Sequence, residues 1–143
     1  MGVGTDLILA TPDQAEAVLA SHDPAKDFDG VYAKGADPIS LGALLSVLTG
    51  EQYADDILDQ YQEVITEPSG EKSVSIVPNR LRQELVNLTH DRIPEVVNQW
   101  MMTDEFMLTG WDDEITTSFL KDMKTMLSKE GADEKALWMA ISV

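Results

Sequence analysis

Three aspartates, Asp55, Asp56 and Asp59, fall on one face of a short helix that the spacing of Tyr53, Ile57, Leu58 and Tyr61 predicts over residues 51–60. Carboxylates gathered in this way could engage the basic side chains of a partner or a divalent ion. A charge run on one helix face is more commonly a solvated surface, and that reading carries the greater weight. A second acidic group, Asp23, Asp27 and Asp29 with Gly30 beside it, departs from the spacing of a calcium loop and lacks the closing bidentate glutamate, so it reads as a polar loop. The two histidines stand apart in sequence. His22 falls in that loop, and His90 stands beside Asp91 at a helix entrance. A Ser-His-Asp site would need a positioned serine, and no Gly-x-Ser-x-Gly elbow occurs. Gly2-Val3-Gly4 precedes a strand instead of following one, and Lys34-Gly35 reverses the order that a phosphate loop requires. Cysteine is absent, which removes thiolate metal sites, disulfides and a cysteine nucleophile. No catalytic residue, metal site or cofactor is expected. Carboxylates alone can still do acid–base work, so the reading leans against an enzyme on weight and not by exclusion.

Trp111 is the remaining candidate. It follows Leu108-Thr109-Gly110, outside any predicted helix. There it either packs as a staple on the next helix or stands as an aromatic anchor in a binding cleft, a role aromatic residues often take at interfaces. Trp100 and Trp138 lie on predicted core faces, and Met101, Met102, Met107, Met123, Met126 and Met139 add soft apolar surface that could line such a cleft, although core packing accounts for most of them.

The elements that must position these residues follow from periodicity and caps. Residues 5–10 form a short apolar strand. Thr11-Pro12-Asp13-Gln14 is a capping box with proline in the first helical position, and it opens a helix over 12–21. After the loop at 22–30, residues 31–33 suggest a short strand. Asp37-Pro38 then repeats the cap-and-proline device before the apolar face Leu41, Leu44, Leu45 and Leu48, with Gly50 placed to end the helix. The turn residues Glu67-Pro68-Ser69-Gly70-Glu71 join strands at 62–67 and 73–77 in a hairpin. Helices follow over 78–88, 92–102 and 112–130. The last has Ile115, Phe119, Met123, Met126 and Leu127 on its core face, and its acids precede its lysines as the helix dipole favours. Residues 136–141 form a buried terminal strand. The hairpin interrupts any βαβ series, so the fold class is α+β. The expectation is a small mixed or antiparallel sheet holding both terminal strands and the central hairpin, with about five helices packed on a face of it, in a single domain over 1–143.

Several of these pieces, taken in order, resemble a known family. They are the opening Met1-Gly2 followed by a strand and a short helix, the run Leu44-Leu45-Ser46-Val47-Leu48-Thr49-Gly50, and a tail of Trp111, an acid-started helix, a glycine and an apolar strand. Together they resemble the YfbM-like family of bacterial proteins, whose function is unknown. The chain departs from it at Leu41-Gly42-Ala43 and Ser46, where the family's helix carries an aromatic residue and a histidine. The resemblance implies a fold class and no activity.

Charge narrows the partners. The chain carries 26 acids against 10 bases, a net charge of −16. Residues 1–72 hold 14 acids and 3 bases, so most of the negative field should arise there. Such a charge repels nucleic acid and anionic membrane, and it suits a basic protein. The first residues carry no basic stretch followed by an apolar one, so no cleaved leader is expected, and the setting expected is cytoplasmic. The leading expectation is a non-catalytic binding or regulatory module for a basic protein, with Asp55, Asp56, Asp59 and Trp111 as binding residues. Two alternatives stand beside it. One is a small enzyme or ligand-binding protein with a pocket near Trp111 and His90. The other is an immunity-type protein that neutralises a basic toxin.

Overall fold

In the computed structural model, which describes residues 4–53 and 56–142, five strands form one antiparallel sheet. They are β1 (Gly4–Ala10), β2 (Asp29–Tyr32), β3 (Gln62–Thr66), β4 (Lys72–Ile76) and β5 (Ala136–Ser142), in the spatial order β2-β1-β5-β4-β3. The two terminal strands lie side by side at the centre, with Leu7 opposite Met139 and Ala10 opposite Ala136. The hairpin β3–β4 extends one side, with Val74 opposite Ala140. The α+β architecture expected from the pattern is the one found, and of the two sheet types left open, mixed or antiparallel, the sheet is antiparallel. Asp55 and the Gly2-Val3 pair lie outside the described residues.

Central position explains the strand sequences. β1 and β5 are covered on both faces, so they read as apolar runs and not as an alternation. Leu7, Leu9, Leu137 and Met139 face the larger core, and Ile8, Ala10 and Trp138 face the smaller one. The larger core is built with α3 (Pro38–Thr49), α5 (Asn79–Asn87), α6 (Ile93–Met101) and α7 (Asp113–Leu127). Asp37 caps α3 by accepting the Ser40 amide at 2.7 Å, and Asp112 caps α7 by accepting the Ile115 amide at 2.8 Å. The indoles of Trp100 and Trp138 are buried, and each donates to a carbonyl, that of Ser40 and that of Ala10, both at 2.9 Å.

The structure departs from the sequence reading in three places. Helices cover both faces of the sheet, not one. α1 (Ala15–Ala20), preceded by a 3₁₀ turn over Pro12–Gln14, lays Ala15 and Val18 on Ile8, Ala10, Val74 and Trp138, which would otherwise expose an apolar face. Gln14 reaches back to the Thr11 amide at 2.8 Å as the capping box requires, whereas the Thr11 hydroxyl donates to Asp13. Next, the expected loop at 22–30 contains α2 (Pro24–Asp27) and the start of β2. Finally, the helix expected over 51–60 is, among the described residues, only α4 (Ile57–Gln60). No helix among the described residues is long and apolar enough to cross a membrane.

Candidate functional site

The edge strand β2 and the helix α7 enclose a groove of about 760 Å³. α7 runs antiparallel to β2, and the two are tied at both ends. At one end the Trp111 indole donates to the Lys34 carbonyl at 2.8 Å. At the other, Lys129 reaches Asp29 at 3.5 Å, and Lys135 meets the same carboxylate at 3.8 Å. The strand side is backbone-rich, with Gly30, Val31 and Tyr32, and Lys34 lines the end beside Trp111. The helix side presents Glu114, Ile115, Ser118, Asp122 and Thr125, with Phe119 and Met126 at the base.

Close packing fixes both walls. A Cβ on Gly30 would stand 2.7 Å from the Cα of Ala25 and 2.6 Å from the Ile8 side chain, so only glycine lets α2 lie against β2. Gly35, with φ of +95°, brings the turn after β2 onto the Thr109 carbonyl, which a Cβ would meet at 2.6 Å. That turn carries the Lys34 carbonyl to Trp111.

Trp111 is half-buried. Its ring meets Trp100 edge-to-face at 5.8 Å and tilts on Phe119 at 5.0 Å, while one side lines the groove. It is thus both packed on α7 and part of a cleft wall. Ile115 was expected on the core face of α7. It is 49% exposed and lines the groove, and the inward position belongs to Thr116, whose hydroxyl donates to the Asp112 carbonyl at 2.7 Å. A threonine that satisfies its own hydroxyl locally can be buried, which frees the neighbouring isoleucine for the groove.

The other sequence candidates lie elsewhere. Asp56 and Asp59 are exposed and line no part of the groove, and Asp56 accepts from Gln60 at 3.2 Å. His90 stands exposed in a 3₁₀ turn before α6 and is not in the groove wall. His22 borders a second, much smaller cavity of about 60 Å³ together with Asp6, Lys72 and Ser142. No hydrogen bond joins His22 to a serine or a carboxylate among the described residues, and no three potential metal ligands converge among them.

The electrostatics near β2 are acidic. Asp6 is raised above the usual carboxylate range by burial, and the neighbouring Asp23 adds to it. The Tyr32 hydroxyl donates to Asp23 at 2.7 Å, and this bond holds its proton more tightly than usual. Within the groove, Lys129 is engaged by Asp29, whereas Glu114 and Asp122 have no cationic partner among the described residues. Sequence reading missed Asp122 and assigned Glu114 to the helix dipole. Their spacing of eight residues puts them on one helix face, but only the position of β2 makes that face a groove wall.

No family model matches the sequence, and neither a curated protein nor a solved structure was found to match it.

Proposed function

We propose that the chain is a non-catalytic protein-binding module whose partner is basic and docks in the α7–β2 groove. The observation that carries this reading is a pair of carboxylates with no ion-pair partner among the described residues, Glu114 and Asp122, in the wall of an open groove whose two lining lysines stand at its ends, Lys129 held by Asp29 and Lys34 beside Trp111. The molecule's net charge of −16 adds to it by steering a cation toward any such site and turning nucleic acid and anionic bilayers away. Trp111 supplies a packed aromatic wall of the kind that anchors a partner side chain. Asp56 and Asp59 then contribute to the long-range field and not to contact. A cytoplasmic setting, consistent with the cysteine-free composition, is part of the proposal, as is kinship with the YfbM-like family, which adds no activity.

A toxin-neutralising protein is one form that a basic-partner reading can take. A small organic ligand is the second reading, favoured by a volume within the few hundred to a thousand Å³ typical of ligand sites. Selection of a random-peptide display library on the wild-type protein tests the first reading. Enriched peptides should be cationic, should weaken on going from low to moderate salt, and should lose on the order of tenfold in affinity against the Glu114→Lys/Asp122→Lys double variant. Enrichment without positive charge, or equal binding to the double variant, would sink it.

A further inference from the structure

β2 is the end of the sheet, and its backbone on that side is unpaired. The Ala33 amide donates to the Thr5 carbonyl at 2.9 Å, and Leu7 stands opposite Val31. In an antiparallel ladder these two facts make Thr5–Ala33 and Leu7–Val31 the hydrogen-bonded pairs. The N–H and C=O groups of Gly30 and Tyr32 therefore point away from β1, toward the groove. No hydrogen bond to them is made among the described residues. The opposite end of the sheet differs, because β3 carries a bulge between Glu63 and Ile65 that breaks its ladder.

Resting on the basic-partner reading, we propose that the groove takes an extended segment which adds to the sheet antiparallel to β2 and carries basic, apolar and basic side chains at alternate positions. Each strand of the sheet already runs antiparallel to its neighbours, so the added strand continues the series. Its residues opposite Gly30 and Tyr32 would exchange backbone bonds with them and point away from α7, as Tyr32 does. The alternate residues would point to the Val31 face, where α7 lies. Glu114 and Asp122 are about 12 Å apart along the helix axis at 1.5 Å per residue. Four residues of strand span about 13 Å. Basic side chains four positions apart therefore match the two carboxylates, and the residue midway between them meets the apolar floor at Ile115 and Phe119. The tie of Lys129 to Asp29 at the groove's end is long and exposed, so it yields at little cost.

The probe is a capped Thr-Lys-Thr-Leu-Thr-Lys-Thr peptide, titrated against the intact protein with amide exchange followed by NMR. The two threonines that flank the leucine carry the bonded amides. N-methylation of either should lower affinity on the order of tenfold or more, whereas N-methylation of the leucine should leave it unchanged. The Gly30 and Tyr32 amides should slow in exchange on binding, while Val31, already bonded to β1, should not change. If the peptide binds, weakens with Glu114→Gln/Asp122→Gln, and ignores the threonine N-methyl groups, strand addition is overturned and the basic-partner reading stands. The same conclusion follows if this peptide fails while display-selected cationic peptides bind the groove. If neither binds, both proposals fall.

Discussion

Asp6 lies in the middle of a sheet strand, opposite Tyr32 on one side and Ala140 on the other, with Asp23 close by. Burial and then Asp23 raise its pKa, so the folded protein holds this proton more tightly than the unfolded chain. The stability that goes with the proton is complete below the ordinary value of 3.8 and is lost as pH rises through the raised one. At neutral pH the charged form is therefore a cost, reduced by the half-exposure of the group. Asp6→Asn should raise the Tm at pH 7 by about 1–3 °C, and the gain should vanish near pH 3.5. Equal Tm values for both proteins at pH 7, or a gain that grows in acid, would contradict this. Residues of this kind are only partly legible in sequence. Asp37 could be read as a cap because the cap and its amide are neighbours in the chain, whereas Asp112, which caps α7 in the same way, reads from sequence only as one of the acids of the first turn. The shift at Asp6 comes from burial in the assembled sheet and from Asp23, 17 positions away, and Ile115 was misplaced because periodicity marks an apolar stripe without showing where its cover ends.

At the scale of elements, the central strands, the hairpin and α3, α5, α6 and α7 were readable, since each carries its own period and stop signals. α2 was not, because four residues are too few for a period, and its place is fixed by the approach of Ala25 to Gly30. The face of the sheet that each helix takes was also beyond the sequence, because it depends on which strands become central. The groove inherits that limit, since its walls come from segments 77 or more residues apart. Arg82 shows the same thing in a structural role. Its guanidinium donates to the carbonyls of Ala132 and Lys135, both at 2.7 Å, and so ties α5 to the turn that leads into β5. A planar fork can serve two carbonyls at once, and an ammonium cannot hold the same geometry. Arg82→Lys should cost about 1–3 kcal/mol, seen as a lower urea midpoint with an unchanged slope. An unchanged midpoint would mean that the fork does not hold this end of the sheet.

The whole molecule responds to salt through two opposed terms. With 26 acids and 10 bases the fold repels itself, and added salt screens that repulsion beyond about 10 Å at 0.1 M. Screening also weakens the attractive ion pairs. The three among the described residues, Arg80–Glu51, Lys129–Asp29 and Lys135–Asp29, are all substantially exposed, and such pairs contribute little. Repulsion therefore dominates, and the Tm should rise by about 2–5 °C between roughly 20 mM and 300 mM sodium chloride at pH 7. Binding of a cationic peptide in the groove should move the other way over the same range, because there the screened interaction is an attraction between the partners. The two slopes can be measured on one sample by thermal denaturation with and without peptide: the peptide-induced gain in Tm shrinks as the Tm of the free protein climbs. A free-protein Tm that is flat or falls with salt would show that the acids are locally compensated and that the net charge is no guide to the partner.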